Sequence, residues 1–254
     1  MQRDAIVFLI KRPSYQEKYV TPFPARIVGV LRRPRATFAT IADTPTWASV
    51  LALTTIITFV CGVGFLATDV GRQALVDQWE RTSLAFGQTV DDAQYARMED
   101  TVDSGTFRLG YAAATAILNG PVLSFSIAAL LVLVLNRATG RRVSYVQGLA
   151  VVCYAGVILA LRQVIATPID YVRESIASPT TLVQFFTMLD ESSALARFLG
   201  VVDLAVVWWI VVLAVGMSVL YGRPARRLAL VFTGAYIVLA LLTALAMAAS
   251  GGTA

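Results

Sequence analysis

Residues Val201–Gly222 read VVDLAVVWWIVVLAVGMSVLYG. Apart from one acid near its start, Asp203, the stretch is built of apolar and small residues. A helix of ~20 residues rising ~1.5 Å per residue crosses the ~30 Å hydrocarbon layer of a bilayer, so this stretch predicts a transmembrane helix. A carboxylate inside such a helix costs free energy unless it meets a partner or water. Trp208 and Trp209 fall in mid-run, where they read as packing surface before they read as interfacial anchors.

The same composition extends outward through the 254-residue chain, which is 57% hydrophobic with a mean hydropathy of +0.69. That is too apolar for an ordinary soluble domain. Spans are predicted at about 46–67, 111–135, 145–167, 198–221 and 228–249. The predicted fold class is all-α: a polytopic bundle of five transmembrane helices with amphipathic surface helices. Residues 1–25 read as an amino-terminal tail, because the apolar run Ala5–Ile10 is too short to span and lacks a cleavage site for a signal peptide. Residues 251–254 form an uncharged tail.

The residues between spans carry further expectations. Arg26 to Asp43 reads as two short helical pieces broken at Pro34, with Ile27 and Leu31 on one and Phe38 and Ile41 on the other. Arg32, Arg33 and Arg35 beside them predict contact with anionic headgroups, the alternative being a soluble linker helix. Thr44-Pro45 is expected to cap the first span. Residues 68–110 form an acidic connection read as a helical hairpin, with Leu75, Trp79 and Leu84 on one helix. Tyr95, Met98 and Val102 mark the other, opened by a Thr89-x-x-Asp92 box. Leu182, Phe185, Phe186 and Leu189 predict another surface helix before the fourth span.

Two features inside the spans stand out. Ala112, Ala116, Gly120, Ser124 and Ala128 recur every four residues on the second span, a smooth face that lets another helix approach closely. Pro121 on the same span predicts a kink, with a transport-related hinge at Asn119-Gly120-Pro121 as the alternative. Further small residues occur at Gly156 and Ala160 on the third span and at Ala240, Ala244 and Ala248 on the fifth. The second feature is a charge pair. Arg162 lies five residues before the end of the third span at Thr167, and Asp203 lies five residues after the start of the fourth at Phe198. Both therefore sit ~7–8 Å inside the same face of the membrane, where pairing avoids stranding a charge; the alternative is snorkelling of Arg162 toward Asp170 or the headgroups.

Arginine and lysine concentrate in the amino terminus and in the turns at 136–144 and 222–227, while acids concentrate in 68–110 and 168–197. The asymmetry predicts a cytoplasmic amino terminus and an outside carboxyl terminus, in the cell (inner) membrane.

The layout resembles the Yip domain family, membrane proteins named for interaction with Ypt/Rab GTPases, and in particular its bacterial members. The resemblance rests on RRPRATFATIADTPTW before the first span, Asn119-Gly120-Pro121, SYVQGLAVVCYAG opening the third, and the fourth span followed by a basic turn. It implies a five-span helical fold with a cytoplasmic amino terminus, and protein–protein or membrane-organising work in place of a reaction. No GTPase-binding element carries over, since the amino-terminal region is short.

The residues exclude several functions. The chain has no histidine, which removes the commonest general base and zinc ligand. Cys61 and Cys153 lie in spans without CxxC spacing and read as small apolar residues. Ser218 has no base to activate it, and an aspartyl dyad needs a second acid beside Asp203. No catalytic, metal-binding or cofactor-binding residue is assigned. No basic run interleaves with aromatics, so no nucleic acid is expected. The leading expectation is a scaffold or partner-binding protein that meets membrane lipids and an unknown protein partner or a second copy. The alternative is a small-solute or ion transporter, or a subunit of one.

Overall fold

The computed structural model describes residues 22–176, 178–186 and 194–250. The amino-terminal run Ala5–Ile10, Leu189 and the tail 251–254 lie outside them. Among the described residues, five helical segments are long and apolar enough to cross a membrane: Ala48–Leu66, Gly105–Thr139, Tyr145–Val172, Leu204–Tyr221 and Ala225–Ala246. The third and fourth form the centre, and the first, second and fifth pack around them with far less of their surface buried.

Before the first span stand α1 (Phe23–Arg32) and α2 (Pro34–Asp43), the two pieces expected around Pro34. They close as a hairpin because Gly29 faces Thr37, where a Cβ would come within 2.4 Å of the Thr37 hydroxyl. Thr44 does not cap the first span, α3 (Ala48–Leu66), which begins past the proline without a side-chain cap. Thr44 ends α2 instead, and its hydroxyl accepts from buried Arg26 at 3.0 Å; Thr46 Oγ1 accepts from the same guanidinium at 3.0 Å. The apolar side of α2 does not lie on the bilayer surface. Phe38 and Ile41 are completely buried, with Phe38 against Gly216 of the fourth span, while Arg32, Arg33 and Arg35 remain exposed.

The acidic connection forms a helical hairpin as expected, α4 (Asp69–Ala85) and α5 (Asp92–Asp103). Its cap differs by a residue pair. Asp91 caps α5 and Gln94 reciprocates, so the box is Asp91-x-x-Gln94, because Asp91 is the extended residue just before the first turn. Leu75, Val76 and Val102 build a second small core with Leu66, against which Trp79, Tyr95 and Met98 pack; Leu84 stays exposed. Trp79 meets Phe107 edge-on at 5.6 Å between ring centres, which ties the hairpin to the second span.

The second span consists of α6 (Gly105–Ile117), a π-turn at Leu118–Val122 and α7 (Leu123–Thr139). Pro121 cannot donate to the carbonyl four residues back, and the wider turn absorbs that loss. Asn119 Nδ2 donates to the Thr115 carbonyl at 2.9 Å beside it. The third span runs as α8 (Tyr145–Ala155) and α9 (Val157–Val172), with a reciprocal cap from Ser144 and Gln147. It runs past the predicted end at Thr167 and through Pro168, which withholds its own donor and crowds the carbonyl four residues back, and α9 continues for one more turn to Val172. Asp170 is therefore a buried acid within this helix, so Asp203 is not the sole acid associated with a span.

The fourth span departs most from expectation. It is not one helix from Phe198 but α10 (Ala194–Val201) and α11 (Leu204–Tyr221), interrupted at Val202-Asp203. Of the surface helix expected before it, the described residues form one 3-10 turn, Leu182–Phe185, with Phe185 and Phe186 exposed. The chain around it is extended and pairs with the interruption. Leu182 N donates to Val202 O at 2.8 Å and Leu204 N to Thr180 O at 2.9 Å. The fifth span is α12 (Ala225–Ser250), with Ala240 and Ala244 buried.

Candidate functional site

The interruption at Val202-Asp203 gathers the best-organised polar group among the described spans. Asp203 is the N-cap of α11, extended in backbone, with Oδ1 accepting from Ala205 N at 2.8 Å. Thr180 Oγ1 donates to the same oxygen at 2.7 Å. Oδ2 accepts from Ser178 Oγ at 2.8 Å and lies 2.8 Å from an Arg162 guanidinium nitrogen. Asp203 therefore does not sit where an uninterrupted fourth helix would put it. Asp203 reaches Arg162 from a helix end, and residues 178–182 supply the rest of the shell.

The backbone at the break is satisfied from the fifth span. Tyr236 OH accepts from Asp203 N at 3.0 Å and donates to Val201 O at 2.9 Å. One hydroxyl thus replaces the two backbone hydrogen bonds that an unbroken helix would make there, as buried backbone groups require. Serine, threonine and tyrosine partners left no periodic trace, but an acid followed by an apolar run of eighteen residues is also an N-cap signal.

Beside this cluster lies a partly open cavity of about 550 Å³ bordered chiefly by the first four spans. Arg162, Gln163, Thr167 and Asp170 line it from the third span, Thr54, Thr58 and Cys61 from the first, and Val206 and Trp209 from the fourth. The small-residue face of the second span borders it too. Ala112, Ala116 and Ala128 are buried, while Gly120 and Ser124 are half-buried and line the cavity. This face meets the first span at two points: a Cβ on Gly62 would lie 3.4 Å from that of Ala112, and one on Gly120 would lie 2.4 Å from Thr55 Oγ1. Trp208 is exposed, whereas Trp209 turns its indole nitrogen inward. The side chain of Ala248 lies outside the described residues.

The opposite end of the bundle is basic. Tyr221 donates to Asn136 Oδ1 at 2.9 Å, Gln147 Nε2 donates to the Ala42 carbonyl at 3.2 Å, and Gly222 adjoins Arg141. These contacts bring three separate connections together, and with them Arg32, Arg33, Arg35, Arg137, Arg141, Arg142, Arg223, Arg226 and Arg227. All nine are exposed, and none takes part in an ion pair among the described residues.

The family model for the Yip1 domain matches residues 28–247. The chain belongs to the Yip1 domain family. That match covers the second half of α1, all of α2 and all five spans, so this Yip1 domain is a multi-pass membrane protein whose helical bundle is the family domain itself. The family is not known for a catalysed reaction. Neither a curated protein nor a solved structure matches the chain. Among the described residues, no group of three or more histidine, cysteine, aspartate or glutamate side chains could hold a metal ion.

Proposed function

We propose that this Yip1 domain is a non-enzymatic scaffold of the cell membrane, oriented with its arginine-rich end in the cytoplasm. That end holds anionic lipid headgroups and receives a protein partner or a second copy of the chain. The single observation behind this reading is the gathering of nine exposed arginines at one end, which no carboxylate neutralises among the described residues. Exposed guanidiniums beside a span attract the negative surface of the cytoplasmic leaflet, at about 1 kcal/mol for each cation near that surface. The Arg162–Asp203 pair serves as a clamp between spans in this reading, because every oxygen of Asp203 is already occupied.

The test is copurification of the full chain from native membranes after crosslinking, with retained lipids identified by mass spectrometry. The expected result is retention of anionic over zwitterionic lipid and a defined oligomer or stoichiometric partner. Replacing Arg32, Arg33, Arg35, Arg141 and Arg142 with glutamine should abolish the lipid preference. A monomer without lipid preference would overturn the scaffold, as would protein-dependent solute flux in reconstituted vesicles.

A further inference from the structure

The cavity between the first four spans carries a second conclusion, independent of the arginine-rich end. Several polar groups on its wall are satisfied by their own helix: Thr54 donates to Leu51 O, Thr58 to Thr54 O, Asn119 to Thr115 O and Thr167 to Gln163 O. Two wall groups are buried without a partner. Asp170 is more than nine-tenths buried and its Oδ1 has no hydrogen-bond partner, and the buried indole nitrogen of Trp209 has none either. A buried carboxylate oxygen left without a donor is costly, so the group points to something that is meant to fill the space.

Charge and shape specify the occupant. The charged residues on the wall are Arg162 and Asp170, and Asp203 behind the wall pairs with Arg162 at 2.8 Å. These two acids and one base together leave one negative charge at Asp170, which a single cationic group would neutralise. Asp170 stands two helical turns beyond Arg162 toward the α4–α5 hairpin, near Gln78 and Tyr111. Away from it, the lining becomes apolar, with Leu123, Ile127, Val152 and Val206. The volume falls in the range of ordinary ligand pockets, roughly 300–1,000 Å³.

We propose that this cavity binds an amphiphile bearing a primary ammonium group, with the ammonium on Asp170 and the apolar body running between the second and fourth spans toward Trp209. The ammonium supplies the donors Asp170 lacks, in a charge-assisted hydrogen bond. The indole N–H supplies the one donor at the apolar end, for an oxygen on the ligand. The chemistry is shared by the headgroup of an aminolipid and by a free long-chain amine.

The experiment uses the full chain in nanodiscs of phosphatidylcholine, titrated with dodecylammonium, dodecanoate and dodecanol while tryptophan fluorescence and thermal stability are followed. Dodecylammonium should bind and stabilise, and Asp170→Asn should weaken it about 10-fold or more, as loss of a charged hydrogen bond does. Leu123→Trp is at an exposed edge of the cavity and leaves Asp170 intact. It should block binding by occupying space, so the proposal stays open to refutation if Asp170→Asn fails to fold. Native mass spectrometry separates the sources. Phosphatidylethanolamine retained by the wild type and lost in Leu123→Trp identifies a lipid ligand, and dodecylammonium binding without retained aminolipid identifies a free amine. Equal responses to dodecylammonium, dodecanoate and dodecanol, or binding indifferent to both variants, would overturn the site and leave the cavity to water.

Discussion

Asp203 ties together a cap, an ion pair and two hydroxyl contacts, and its substitutions should be unequal to those of its partner. Arg162→Leu leaves Ser178, Thr180 and Ala205 still donating to the carboxylate, for a loss of about 1–3 kcal/mol. Asp203→Leu removes the cap and strands Arg162, for about 3–5 kcal/mol. The double leucine variant should recover only the ion-pair part, which a double-mutant cycle in detergent-unfolding free energy reads directly. Strict additivity would show that the two charges do not interact. Tyr236→Phe removes the hydroxyl bridging Val201 O and Asp203 N and should cost about 1–3 kcal/mol. Hydrogen exchange at Asp203 N checks it, with unchanged protection counting against the bridge.

Helices show which kinds of information a linear chain carries. Apolar length located all five spans, since a bilayer demands it wherever the chain goes. Spacing of small residues marked the face Ala112–Ala128, because close approach needs small side chains at fixed intervals. Ends were harder. Pro168 reads as a stop, yet the helix passes through it and carries Asp170 inside, because a proline one turn from an end loses little. The gap in the fourth span was hidden for a different reason: Val202 and Asp203 are held open by Thr180 and Tyr236, residues distant in sequence whose contribution has no periodicity. A carboxylate at residue 203 and a guanidinium at residue 162 were legible; the hydroxyl shell was not. For the small-residue face, Gly120→Leu should drive a side chain into Thr55 and lower stability by about 1–3 kcal/mol, as overpacking does. Val122→Leu, on an exposed position of the same turn, should be close to neutral in thermal melts. Equal melts for the two variants would mean that Gly120 faces lipid.

The whole molecule is polarised along the membrane normal. One end collects the α4–α5 hairpin with its acids, and the other collects nine arginines. That separation is the basis for the orientation proposed above. Reporter fusions would read it: a periplasm-active enzyme fused after Ala254 should be active, and a cytoplasm-only reporter at the same place silent. The reverse pattern would invert the bundle and move the arginine-rich end outside. A multi-pass protein of this kind also places its two most lipid-exposed spans, the second and the fifth, where another copy or a partner can reach them.

The seat of α2 imposes an order on synthesis. Phe38 emerges from the ribosome before any span, yet the surface it occupies belongs to α8 and α11, and its neighbour Gly216 is made near the end. At ~5–20 residues per second, the interval from Asp43 to Tyr221 lasts roughly 10–35 s. Throughout that time the amphipathic, arginine-bearing α1–α2 hairpin lacks the α11 part of the surface that buries Phe38. Its full seating in the bundle therefore comes late in biogenesis, and a chain arrested before the fourth span should leave Phe38 open to labelling that the finished protein resists.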